Sequence, residues 1–272
     1  MRSVNNRSMR VNVNEAPLGN PASRHSEWDT VATREPIFNV PSGVLAILGI
    51  LIAVHAALSL LSPQQFEWWV LALAFIPARY SGFAAELPGG DTAAVTSLVT
   101  HMAVHADLVH LGFNAAWLLA FGSVLCARIG NLRFFAFSIL GGIAGALLFL
   151  LFNPGLAAPV IGASGAISAM MGGVMRFLFN AIDRGEGYLL REDPRAIPSM
   201  SLSQTLRDRR VVITSLVFVG LNLLAIIGFG KFGESGAIAW EAHIGGYIFG
   251  LCAFGLFDSA THNNAPPASE FD

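Results

Sequence analysis

Six stretches of this chain, near 42–61, 103–126, 132–152, 163–180, 211–229 and 237–257, are apolar over lengths close to the ~20 residues that a helix needs to cross a bilayer. No other feature restricts the fold as much. Composition agrees, since 54% hydrophobic residues, 12% charged residues and a mean hydropathy of +0.58 do not describe a soluble domain of 272 residues. The fold class expected is all-α: a polytopic membrane protein built as a six-transmembrane-helix bundle. Basic and aromatic residues are not interleaved as nucleic-acid binding requires, so no nucleic-acid partner is expected and the lipid bilayer is the first one. Cys126 and Cys252 lie inside apolar runs and read as small buried hydrophobes, neither a disulfide framework nor a metal pair.

The chain divides into a polar segment at 1–40, expected to be mobile and cytoplasmic, a membrane domain at 41–258 and a short tail at 259–272. The first fourteen residues hold Arg2, Arg7 and Arg10 and no acid before Glu15, a pattern that also fits an organellar transit peptide. Orientation follows from the basic residues. Arg2, Arg7, Arg10, Arg24 and Arg34 precede the first span, Arg128 and Arg133 join the second to the third, and Arg176, Arg184, Arg191, Arg195, Arg207, Arg209 and Arg210 follow the fourth; only Arg79 and Lys231 fall on the opposite side. Both termini and the polar 181–210 linker are therefore expected in the cytoplasm, as in a bacterial inner membrane. Of the outer connections, 62–102 contains the amphipathic stretch Glu67-Trp68-Trp69-Val70-Leu71, suited to the interface plane, and 153–162 is uncharged and apolar enough to dip inward. No internal repeat stands out, which speaks against a transporter of inverted halves.

Polar residues inside a membrane are costly, so each one is a candidate for function. Ser164 lies in Val160-Ile161-Gly162-Ala163-Ser164-Gly165-Ala166, and His243 lies in Ala242-His243-Ile244-Gly245-Gly246. At ~1.5 Å per residue, Ser164 stands about 18 Å from Arg176, His243 about 22 Å from Asp258 and Asn114 about 21 Å from Arg128. Three polar residues from separate spans thus share one depth, roughly 10 Å below the outer surface of a ~30 Å hydrocarbon core. His55, alone in the first span, reads as a core or interface residue.

A serine hydroxyl is a weak nucleophile until a histidine removes its proton, and the carbonyl it attacks needs donors for the resulting charge. Ser164 and His243 supply the first requirement. The Ser164 N–H, at the start of the fourth span, is an oxyanion donor because the first N–H groups of a helix have no partner within it. His110 and Asn114, four apart on one helix face, add side-chain donors; the alternative is that they are packing glue between helices. Neither Glu241 nor any other carboxylate is expected at site depth to orient His243, so a dyad is expected and not a Ser-His-Asp triad. The soluble-hydrolase G-x-S-x-G elbow is not met either, because Ala166 takes its final glycine position. A further reading takes His101, His105 and His110 as metal ligands, but His105 and His110 are five apart and leave one helix face.

Together, Gly162-Ala163-Ser164-Gly165, the A-H-x-x-G-x-x-x-G at Ala242–Gly250 and the H-x-x-x-x-H-x-x-x-N at His105–Asn114 resemble the rhomboid family of intramembrane serine proteases over roughly residues 40–257. The resemblance implies Ser164 as nucleophile, His243 as general base, and His110, Asn114 and the Ser164 N–H as the oxyanion hole. It implies no cofactor and no metal. It also implies single-span transmembrane proteins as substrates, cleaved near the outer boundary of their helix. Gly246 and Gly250 would let the sixth span approach the fourth. Two positions depart from the family: Thr96-Ser97 replace a Trp-Arg pair before the first histidine, and Ser168 replaces a tyrosine that packs on the catalytic imidazole in some relatives. The other reading of the same scaffold is a non-proteolytic membrane chaperone or trafficking factor.

Overall fold

The computed structural model describes residues 40–229 and 239–259, and within them the regular structure is helical apart from one isolated β-bridge. The polar N-terminal segment, the connection holding Gly230, Lys231 and Gly233, and the tail beyond 259 lie outside the described residues. In chain order the principal helices are α1 (Ser42–Ser59), α2 (Pro63–Leu73), α3 (Gly90–Thr100), α4 (Leu108–Ile129), α5 (Asn131–Phe152), α6 (Ser164–Asp183), α7 (Arg209–Phe229) and α8 (Trp240–Phe257). Among the described residues α1, α4, α5 and α6 are long and apolar enough to cross a membrane. Helices α7 and α8 occupy the fifth and sixth apolar runs, with α8 opening on the polar turn Trp240-Glu241-Ala242-His243.

Helix α6 is the centre of the bundle. Its most apolar window is 72% buried, against 22% for α1, whose Leu45, Ile50 and Ile52 point outward. Lipid tails are as apolar as leucine, so helices in a membrane gain little by hiding leucines and associate through close packing at small residues. The α6–α8 contact follows that rule. A Cβ on Gly246 would overlap the Gly165 carbonyl, one on Gly250 would overlap the Ala169 carbonyl, and one on Gly172 would overlap the Tyr247 carbonyl. Gly145 on α5 meets the Ala242 carbonyl in the same way, so α8 lies backbone-close to two neighbours.

The 181–210 linker is folded against the bundle rather than free in solution. Arg128 is buried, with its guanidinium bidentate on Asp258 (Nε to Oδ1 3.1 Å, Nη2 to Oδ2 2.9 Å), on the Ile197 carbonyl at 2.8 Å and on the Pro194 carbonyl, over the Phe177 ring. Arg176 donates to the carbonyls of Met200 and Leu251. These arginines tie linker, α6 and α8 together, and they are buried because their donors are satisfied. Farther out, Asp208 receives hydrogen bonds from Arg210, which hold its carboxyl below the ordinary aspartate value.

On the opposite side, α2 begins with a capping box in which Ser62 and Gln65 satisfy each other's backbone N–H, and it leaves Trp68 and Trp69 exposed. The 62–102 connection is anchored by Arg79 Nη2 on the Leu71 carbonyl at 2.7 Å, Thr100 Oγ1 on the Leu73 carbonyl at 2.8 Å and the Tyr80 hydroxyl on the Ala94 carbonyl. Ser97, one of the two departures before the first histidine, is fully buried and leaves its carbonyl to His101. In the 153–162 connection, Val160 exchanges backbone hydrogen bonds with Phe75 at 3.0 and 2.8 Å.

Candidate active site

The loop before α6 sets the nucleophile. Gly162 adopts φ +111°, a backbone conformation that L side chains rarely take, and its N–H donates to the His101 carbonyl at 2.9 Å. A Cβ there would also meet His110 Nε2 at 2.8 Å. The chain thus turns close under the His110 ring and enters α6 at Ser164, its first residue, whose N–H belongs to the helix's unpaired first turn.

Across the α6–α8 contact, His243 Nε2 lies 2.7 Å from Ser164 Oγ. The approach depends on the glycines already described, because a side chain at Gly246 or Gly250 would push α8 off the backbone of α6. His243 Nδ1 lies 2.6 Å from Asn222 Oδ1 on α7. Asn222 Nδ2 donates to the Phe218 carbonyl one turn back at 2.8 Å, which turns the amide so that its oxygen faces the imidazole. That oxygen only accepts, so the His243 proton sits on Nδ1 and the lone pair of Nε2 faces the serine hydroxyl. This is the tautomer that a general base requires.

Helix α4 starts where Asp107 accepts the His110 N–H at 2.7 Å as its N-cap. The Ala106 N–H points at His110 Nδ1 over 3.5 Å, leaving Nε2 to donate toward the Gly162 turn. Asn114 Nδ2 donates to the His110 carbonyl at 2.9 Å and stands 3.9 Å from the same Cβ position on Gly162. Its Oδ1 is buried without a hydrogen-bond partner. The chain therefore brings His110 and Asn114 to the turn that precedes Ser164.

His105 is 1% exposed, and its ring meets that of His110 edge-on at 5.0 Å. His101 turns away, its Nδ1 donating to the Ser97 carbonyl at 2.7 Å, so the three histidines do not converge on one point. Glu241 accepts from Asn153 Nδ2 at 2.9 Å, facing the end of α5 and not the imidazole. Ser168 is buried one turn below Ser164 on α6.

Asn222 is the site residue that sequence reading missed. A signal for it existed, because it lies thirteen residues past Arg209, or about 20 Å, the same depth as Ser164, His243 and Asn114. Only its pairing with His243 was beyond reach.

No curated protein matches the chain at a significant level. A family model for the rhomboid domain matches residues 92–259, which include Ser164, His243, His110, Asn114 and Asn222. With that match over more than half of the sequence, the chain belongs to the rhomboid family.

Proposed function

We propose that this multi-pass membrane protein is an intramembrane serine endopeptidase that cleaves peptide bonds in or near the transmembrane segments of single-span proteins. The rhomboid family includes both such proteases and relatives that have lost activity. The observation that carries the proteolytic reading is the 2.7 Å approach of His243 Nε2 to Ser164 Oγ within a helical bundle.

In this reading His243 takes the Ser164 hydroxyl proton as Oγ bonds to the substrate carbonyl carbon. The carbonyl oxygen becomes an oxyanion, held by the Ser164 N–H with His110 Nε2 and the free N–H of the Asn114 amide. The C–N bond then breaks, His243 returns the proton to the leaving amine, and an acyl-enzyme ester remains. Water, deprotonated by His243, hydrolyses that ester. No step calls on a cofactor.

Six spans, both termini in the cytoplasm and a site about 10 Å below the outer surface complete the proposal. A peptide bond in a regular helix is shielded and its carbonyl already bonded, so substrates must unwind locally. Gly and Pro weaken a helix by about 1 and 3 kcal/mol relative to Ala and are expected in the outer half of substrate spans.

A fluorophosphonate probe tests the reading, with the purified protein in detergent as sample. Covalent labelling of the wild type and none of Ser164→Ala supports an activated serine. An unlabelled wild type that still binds membrane proteins would instead make it a non-proteolytic chaperone or trafficking factor.

A further inference from the structure

Helix α7 is attached to the core along one narrow seam. Ser215, Phe218 and Asn222 share a face at spacings of three and four, whereas Leu216, Val217, Leu221, Leu223 and Leu224 are exposed. The seam meets α8 on two residues that are also four apart. Ser215 Oγ lies 2.7 Å from the Tyr247 hydroxyl, the Phe218 and Tyr247 rings are 4.9 Å apart, and Asn222 meets His243 at 2.6 Å. The residue that fixes the imidazole therefore rides on a helix other than the two that carry Ser164 and His243.

Building on the proteolytic reading, we propose that Asn222 is the positioning residue for His243, and that the base is armed only while α7 is seated on α8. The Nδ1–H to Oδ1 hydrogen bond holds the ring in the tautomer that accepts the Ser164 proton, and it strengthens when the ring becomes an imidazolium, since charge-assisted bonds are the stronger ones. Ser168 puts no aromatic ring on the imidazole from α6, so the amide is the contact that restrains Nδ1. A displacement of α7 away from α8 would free the ring of that restraint. The other titratable groups on the elements around the ring are His110 on α4 and Glu241 and Tyr247 on α8, the last two engaged by Asn153 and Ser215.

The test is the second-order rate at which a small soluble fluorophosphonate acylates Ser164, followed against pH, because this reagent needs the base but no lateral opening. Asn222→Ala is expected to slow acylation about ten- to a hundredfold, the worth of one hydrogen bond to a charged group, with unchanged melting. In peptide-bond cleavage the same variant should lower kcat and leave KM in place. Asn222→Asp keeps an acceptor and should restore most of the rate, with the acid limb moved to higher pH because a carboxylate favours the imidazolium. Phe218→Ala, which loosens the seam, should slow acylation in the wild-type background and add nothing to Asn222→Ala.

Wild-type acylation and an unmoved acid limb in Asn222→Ala would overturn the proposal. Should that variant not fold, an unmoved acid limb in Asn222→Asp would do so. Ser164→Ala run in parallel separates the two levels: if it still cleaves, the proteolytic reading fails, and if it is inert while both Asn222 variants match wild type, only the positioning role fails.

Discussion

Ser164 Oγ and His243 Nε2 are 79 residues apart in sequence and 2.7 Å apart in space, and what closes the gap is the absence of side chains at Gly246 and Gly250. Neither polar residue attracts the other from a distance. The two backbones meet, and the polar pair is carried to its place by that contact.

In the proposed dyad nucleophile and base act as a unit, so Ser164→Ala and His243→Ala are each expected to reduce cleavage to background, with the double variant no worse than either. Gel-based cleavage of a single-span substrate measures this. Normal turnover by either well-expressed variant sinks the assignment.

Glycine substitutions should divide sharply by position. Gly246→Val and Gly250→Val force a side chain into a carbonyl of α6 and should lower Tm and abolish fluorophosphonate labelling, overpacking costing typically 1–3 kcal/mol. Gly49→Ala and Gly112→Ala, where a Cβ meets nothing within 4 Å, should leave both readouts near wild type. Thermal melts with labelling at each step decide the matter.

The Gly162 turn is where a small change should cost activity more than stability. Gly162→Ala adds a Cβ 2.8 Å from His110 Nε2 on a backbone at φ +111°, which would displace the ring proposed as an oxyanion donor. Turnover is expected to fall by roughly 10²–10³, the usual cost of one such donor. A kcat within twofold of wild type would remove His110 from the oxyanion hole.

Removing Arg128 from its buried pair with Asp258 should destabilise the fold, because deleting one partner of a buried ion pair typically costs about 3–5 kcal/mol. Arg128→Ala is expected to melt well below wild type. Arg184→Ala, whose pair with Glu186 is largely exposed, should change Tm little. Equal effects from the two would mean that the linker is not held through Arg128.

Reporter fusions at residues 195 and 265 are expected to read as cytoplasmic, given the concentration of arginine around the 181–210 linker and the N-terminus. A signal from outside at either position inverts the site and moves cleavage to the inner face.

Much of this was legible in the sequence. Hydropathy located α1, α4, α5 and α6 to within a few residues, because crossing a bilayer is a property of each segment taken alone. Depth counting put Ser164, His243 and Asn114 at one level, because helical rise is fixed, and the glycine spacing at Gly246 and Gly250 announced a close approach. Other features were decided only by tertiary structure. The arginines at 128 and 176 looked like charges at the aqueous boundary and are instead buried, since the carboxylate and carbonyls that satisfy them come from Asp258, Pro194, Ile197, Met200 and Leu251. Asn222 shared the site's depth, yet depth does not say which way a helix face turns. The rotation of α7 about its axis is set by the fit of Ser215, Phe218 and Asn222 against α8, and no periodicity within α7 encodes that His243 stands opposite.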